Sequence, residues 1–401
     1  MRFHEIKERD EQYIVHTYAR YHTSIARGKN ATCYAHDGRK LIDFTSGIGV
    51  NSLGFADEGW VAAVSGQLAS VQHTSNLFYT APCVELARLL CKRTGMARVF
   101  FANSGAEANE GAIKAARKYS LDRYGRGRNR IVTLVDSFHG RTITTLAATG
   151  QPVFHRHFFP FTEGFVHTEA GNVEDALAKL DDTVCAVMIE LVQGEGGVIA
   201  LDREYVATVS QACAERDILL VLDEVQTGAG RTGSLYCFMQ YGIRPDILTS
   251  AKGLGGGLPI GAILFNDKTA DTLGSGDHGS TFGGNPAVCA GAKEVIERMT
   301  DDFLAEVERK GEYMRQSILT MPHVRAVTGM GMMIGIELDG VKAADVVAAG
   351  LEKGVLLLTA KTRVRLLPPL TITYAEIDRG LAALAGALAA MTPCAMSCGS
   401  N

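Results

Sequence analysis

Apolar residues in this chain fall into two kinds of run. Short, nearly continuous runs of Val, Ile, Leu, Phe and Ala occupy 97–102, 130–135, 184–190, 218–223, 247–250 and 261–266. Polar residues do not alternate through them, so each reads as a strand buried on both faces. Between several of them lie longer stretches with apolar residues at helical spacing, for instance 106–124 and 203–216. This alternation predicts an α/β fold with a mainly parallel sheet covered by helices. Ahead of it, two apolar runs flank Asp37-Gly38, a hairpin signal. After residue 300 the pattern changes. A long charged helix at 301–319 leads to strands at 330–338, 355–358 and 364–366, with a helix at 343–353 between the first two. The expected division is an N-terminal arm with short strands (1–55), a large domain (56–300), a small α+β domain (301–392) and a tail (393–401).

Composition narrows the function. The chain has 401 residues, a net charge of -4 and 46% hydrophobic residues, an ordinary globular balance with no basic bias toward nucleic acid. The charged first ten residues do not read as a secretory leader, and no apolar run approaches membrane-spanning length. Nine cysteines lie scattered, most in apolar surroundings, as expected of thiols in a reducing cytoplasm; Cys394 and Cys398 sit in the polar tail. His155 and His157 are spaced as metal ligands can be, but no third ligand is near in sequence, so no metal is expected.

The chemistry sits where the strand runs end. Lys252 lies in Ile247-Leu-Thr-Ser-Ala-Lys-Gly-Leu-Gly-Gly-Gly257, and Asp223 ends Ile218-Leu-Leu-Val-Leu-Asp. A lysine in an apolar, glycine-lined turn is desolvated, which favours the neutral amine and makes it a nucleophile toward aldehydes. A carboxylate on a neighbouring strand end can pair with a protonated pyridine nitrogen, the usual protein contribution to pyridoxal phosphate (PLP) chemistry. In Arg98-Val-Phe-Phe-Ala-Asn-Ser-Gly-Ala-Glu-Ala-Asn109, Ser104 or Asn103 can cap a helix. The free N–H groups of Gly105 and Ala106 then form an anion site. In Ser137-Phe-His-Gly-Arg-Thr142, Phe138 can stack on a planar ring and Arg141 can clamp a carboxylate. Gly279-Ser-Thr-Phe-Gly-Gly-Asn-Pro286 offers Ser280 and Thr281 to phosphate oxygens. Glu195 follows the 184–190 run, and Arg365 lies in Arg363-Val-Arg-Leu. Spacing alone does not join these two.

In this order the segments resemble the class III (ω-amino) aminotransferases of PLP fold type I. The match runs over about 10–390 and includes Asp223-Glu-Val-Gln-Thr-Gly-Ala-Gly-Arg-Thr-Gly233 and Ser250-Ala-Lys-Gly-Leu-Gly-Gly-Gly-Leu-Pro-Ile-Gly261. The resemblance implies that Lys252 anchors the cofactor and shuttles the proton, and that Asp223 pairs with the pyridine nitrogen. Gln226 contacts the cofactor O3′, the Ser104–Gly105–Ala106 turn takes the phosphate and Phe138 stacks on the ring. Arg141 binds a substrate carboxylate, and Arg365 binds the α-carboxylate of glutamate, with Glu195 neutralising it for the other substrate. Thr281 and Ser280 act across a homodimer with shared sites.

Ser75-Asn-Leu-Phe-Tyr-Thr80 and the Ser137 segment are typical of the branch that takes N2-acetyl-L-ornithine as amino donor and 2-oxoglutarate as acceptor, in arginine biosynthesis; Tyr79 joins the substrate-binding residues. In ornithine enzymes a tyrosine near the N-terminal strands holds the α end of the substrate, whereas here Ser46-Gly-Ile-Gly-Val50 has no such group. Two departures concern loop shape. Gly54-Phe-Ala-Asp-Glu58 replaces a Gly-His-x-His-Pro segment, and Leu191 stands where proline is common. Succinylornithine, N-succinyl-diaminopimelate and 4-aminobutyrate are alternative donors, and a PLP aminomutase or a non-enzymatic regulator on the same fold are alternative functions.

Overall fold

The computed structural model describes residues 1–392. Seven strands form the central sheet: β1 (Arg98–Ala102), β2 (Arg130–Leu134), β3 (Phe165–Thr168), β4 (Val184–Ile189), β5 (Leu219–Asp223), β6 (Ile247–Ser250) and β7 (Gly261–Phe265). Their spatial order is β1-β7-β6-β5-β4-β2-β3. Only β7 runs antiparallel to its neighbours; the other pairs are parallel.

Every residue of β4, β5, β6 and β7 is buried. Alternate residues serve opposite faces, as the pleat requires. Leu220 and Leu222 join one apolar cluster, while Leu219 and Val221 join the other. Helix α1 (Gly105–Tyr124) packs Ala108, Ala112 and Ile113 on the second face, and helix α2 (Arg203–Glu215) packs Tyr205, Val206 and Val209 on the first. Each helix has a capped start: Ser104 Oγ accepts from Glu107 N at 3.2 Å, and Asp202 Oδ1 accepts from Tyr205 N at 2.9 Å.

The Asp37-Gly38 hairpin forms between Thr32–Ala35 and Lys40–Asp43, with Gly38 left-handed at φ 89°. The strands Ile25–Lys29, Val192–Gln193 and Ile199–Ala200 are not among those read from the sequence, and three further elements differ from that reading. β3 is not predicted: it is a four-residue edge strand containing His167 and Thr168, too short and polar to stand out. The run 330–338 is the far half of a hairpin between Val324–Met330 and Met333–Leu338, turned at Gly331 with φ 53°. The run 355–358 divides. Val355–Leu356 pairs in parallel with Lys40–Asp43, and Leu358–Ala360 pairs with Arg363–Leu366. The N-terminal strands are therefore stitched to the C-terminal segment. Residues 393–401, including Cys394 and Cys398, lie outside the described residues.

β1, β2, β4, β5 and β6 point the same way, so their carboxyl ends share one edge. The next residues there are the Asn103–Ala106 turn, the Phe138 loop, Glu190, Glu224 and the Lys252 turn. The carboxyl edge of a parallel sheet is where open α/β folds bind ligands.

Candidate active site

A cavity of about 460 Å³ opens at that edge. Asn103, Ser104, Gly105, Ala106, Phe138, Arg141, Asp223, Gln226 and Lys252 line it, with Val50, Val225 and the 257–260 stretch adding apolar wall. Residues from Val50 to Ile260 are brought together there by the ends of five strands.

Lys252 opens a short 3-10 turn with a left-handed backbone, φ 42°, a strained conformation for a side-chain-bearing residue. It is accessible through the cavity yet lies deep in the fold. Burial pulls its ammonium below the ordinary lysine range, against the opposing charge of Glu195. The shift favours the neutral amine, the species a nucleophile and proton shuttle needs.

Asp223 is 4% exposed and fully engaged on its protein side. Its Oδ2 accepts from Asn109 Nδ2 and His139 Nδ1, both at 2.7 Å, and its Oδ1 accepts from Val225 N at 3.0 Å. Burial alone would drive His139 down, but the bond and charge of Asp223 outweigh it, so the imidazole pKa is raised. Glu190 also closes in: its Oε2 accepts from Phe138 N at 2.8 Å and its Oε1 from Gly194 N at 3.4 Å, and burial pushes it up to about 7. Beside Asp223, Glu224 fixes the following turn by accepting from Cys237 N at 2.6 Å and Phe238 N at 2.7 Å.

At the other end, Gly105 begins α1 against Val225. A Cβ there would meet Val225 Cγ1 at 2.6 Å, so glycine is required by close approach. Behind this turn stands the positive end of a 20-residue helix. The donor set fits PLP: an anion site for the phosphate, a buried carboxylate for a ring nitrogen, an aromatic ring at Phe138 and a lysine for the aldehyde. Buried polar atoms without partners at this site, Asn109 Oδ1 and His139 Nε2, agree with a polar guest.

Glu195 and Arg365, 170 residues apart, form an ion pair at 2.6 Å beside the cavity. Arg365 is 3% exposed and also donates to Gln226 Oε1 at 3.3 Å. Gln226 fits closely over Gly194, where a Cβ would meet its Oε1 at 2.4 Å. By contrast, Tyr79, Ser280 and Thr281 lie outside this cavity in the single chain. Tyr79 is fully exposed, and Ser280 and Thr281 face a shallow depression with Ser75, Asn76 and Leu77.

The sequence reading gave no role to Asn109 or His139. Asn109 stands four residues after Gly105, so helical geometry turns it to the same side. That signal was available; the convergence of residues 109, 139 and 223 was not. His155, considered above for a metal, instead bonds Leu146 O through Nε2 at 2.8 Å.

A lysine, a buried acid and a helix-start anion site on the carboxyl edge of a parallel sheet define a PLP-dependent enzyme. The class-III aminotransferase family matches residues 13–388, and the chain belongs to it. The acetylornithine aminotransferase of Haemophilus ducreyi is 53% identical over 389 residues, 96% of this chain and 99% of that one. Among solved structures, N-acetylornithine aminotransferase from Stenotrophomonas maltophilia K279a has a TM-score of 0.83 at 33% identity, covering 96% of this chain and 98% of that one. An ornithine aminotransferase from Toxoplasma gondii, with partial occupancy of PLP at its active site, has a TM-score of 0.92 at 31% identity, covering 96% and 94%.

Proposed function

We propose that this enzyme moves the δ-amino group of N2-acetyl-L-ornithine to 2-oxoglutarate, giving N-acetyl-L-glutamate 5-semialdehyde and L-glutamate. The observation that carries the reading is the Glu195–Arg365 pair beside the cavity, 2.6 Å apart. An enzyme with two substrates in turn must accept an α-carboxylate for one and refuse that charge for the other. A buried arginine with a movable acidic partner does both.

When bound, PLP supplies an aldehyde for the amine and a ring that delocalises the charge left when the donor C–H bond breaks. Lys252 Nζ, whose charged form burial disfavours, would take the proton from the donor δ-carbon and pass it to the cofactor carbon that carried the aldehyde. Asp223 would keep a proton on the ring nitrogen, with Asn109 and His139 holding the carboxylate in place. Ser104, Gly105 and Ala106 would hold the phosphate, Phe138 would face the ring and Gln226 would meet its hydroxyl. Arg141 takes the donor carboxylate. With glutamate or 2-oxoglutarate, Glu195 leaves Arg365 and the α-carboxylate replaces it.

The acyl preference rests on the apolar wall that Val50 gives the cavity, with no tyrosine in Ser46–Val50 to hold an α-ammonium, and on the name of the relative in Haemophilus ducreyi. An acyl group removes that charge. Acetylornithine, succinylornithine, N-succinyl-diaminopimelate, 4-aminobutyrate and free ornithine, compared with 2-oxoglutarate by glutamate formation, test this. Acetylornithine should give the highest kcat/KM. A value for free ornithine equal to or above it would overturn the donor assignment, and turnover without 2-oxoglutarate would indicate a mutase.

Glu195→Ala should leave the glutamate half-reaction intact and slow the acetylornithine half on the order of tenfold, the size of one charge-assisted contact. The halves are followed separately by cofactor absorbance. Equal losses in both would argue against the switch.

The same reading assigns the chain to the cytoplasm and to a homodimer in which Thr281 of the partner subunit reaches the phosphate, with Ser280 and Tyr79 toward the substrate. What supports the pairing is the exposure of Leu77, Phe78, Tyr79 and Phe282 around Thr281. No helix among the described residues is long and apolar enough to cross a membrane. The domains assigned are 1–55, 56–300 and 301–392, with 393–401 as tail.

A further inference from the structure

Arg141 is exposed, and an exposed arginine ordinarily samples many rotamers. Here two aromatic rings hold it. Its guanidinium carbon lies 4.0 Å from the centroid of Phe154 and 5.6 Å from that of Phe138. The two rings meet edge to face, with centroids 5.9 Å apart and planes at 69°. Phe154 ends a short 3-10 turn, Pro152–Phe154, that is tied to the Phe138 loop. Gly150 N donates to Ser137 Oγ at 3.0 Å, and Gln151 Nε2 donates to Ser137 O at 3.1 Å. The half-buried ring of Phe154 therefore stands at a fixed height above the loop that carries Arg141.

We propose that Phe154 is a positioning residue for donor recognition: its ring face holds the Arg141 guanidinium so that the N–H edges stay free for the donor carboxylate. This rests on the reading of Arg141 as the carboxylate site. A cation over a ring face is attracted by the ring quadrupole. Stacking occupies the face of the guanidinium and leaves its in-plane donors unused. Among the described residues no carboxylate pairs with Arg141, so those donors are available. Fixing the side chain beforehand lowers the ordering cost of binding. Phe154 thereby links the residue stacked on the cofactor to the residue that reads the donor.

The test uses the holoenzyme and two donors: N2-acetylornithine, and N-acetyl-1,4-diaminobutane, the same molecule with hydrogen in place of the carboxylate. In Phe154→Leu and Phe154→Met the ratio of their kcat/KM values should fall about fivefold, and Phe154→Tyr should keep it. As a readout apart from turnover, phenylglyoxal should label Arg141 faster in the Leu and Met variants, located by peptide mapping. Arg141→Ala is run beside them. If it collapses the donor ratio while both ring-free variants keep wild-type ratio and labelling rate, the role of Phe154 is overturned. If Arg141→Ala itself keeps the ratio, the carboxylate role of Arg141 falls and the proposal with it. The labelling rate then still shows whether the ring holds the guanidinium.

Discussion

Lys252→Ala should lose at least about 10⁴ in turnover, since it removes both the covalent anchor and the group that moves the proton. The protein should still fold. Lys252 opens a short turn that lines the cavity, burial disfavours its charge, and among the described residues it makes no ion pair, so alanine removes none that holds the core together. The same substitution also tests the shared site. A Thr281→Ala chain should bind PLP weakly. If Thr281 acts across the dimer, a heterodimer of the two variants has one site with both defects and one with neither. Mixing and exchange should then restore activity that neither homodimer shows. If each hydroxyl serves its own chain, every heterodimer site keeps a defect and mixing restores nothing. A monomer by light scattering at assay concentration would also end the trans assignment. Reduction of the wild type with borohydride should leave the cofactor on Lys252, and label mapped to another lysine would refute the anchor.

Much of this fold was legible because the central strands are buried on both faces. β5 reads as an unbroken apolar run closed by Asp223, and β6 passes from Ile247-Leu248 to Thr249-Ser250 just before the Lys252 turn, so polar residues mark the carboxyl edge. Asp223, Lys252 and the Ser104–Gly105–Ala106 turn were visible for that reason. β3 was not, because an edge strand needs less apolar surface and His167 interrupts it. The break within 355–358 was not, because pairing partners far off in sequence decide where each half goes: Val355 beside Ile42, Leu358 beside Arg365. The same limit holds in the site. Glu195 and Arg365 carry no local signal of each other, and their pairing came from resemblance before geometry placed them in contact. His139 lay within a quoted motif without a role, since nothing in Phe-His-Gly-Arg tells that its ring meets a carboxylate 84 positions on.

Asp223→Asn should cost about 10²–10³ in the rate of the chemical step, the usual loss when a preorganised partner of developing charge is removed. The loss in cofactor binding should be smaller, on the order of 1.5–3 kcal/mol for one charge-assisted hydrogen bond. Asparagine is nearly isosteric, so the defect is one of charge and donor pattern. Oδ2 accepts from two donors, Asn109 Nδ2 and His139 Nδ1, and Oδ1 accepts from Val225 N. An asparagine must present its NH₂ at one of these positions. At the first it meets two donors, and at the second it meets the Val225 N–H. Neither orientation satisfies the shell, and neither supplies the negative charge that keeps a ring nitrogen protonated. His139 should respond as well. Its pKa is raised because the bond and charge of Asp223 overcome burial. Without that charge burial dominates, and the imidazole should become neutral at a lower pH than in the wild type. Its titration, followed by NMR on the wild type and on Asp223→Asn, gives a readout independent of turnover. Single-turnover cofactor absorbance gives the chemical step. An Asn variant with near wild-type single-turnover rate and an unmoved His139 titration would remove Asp223 from the role assigned to it.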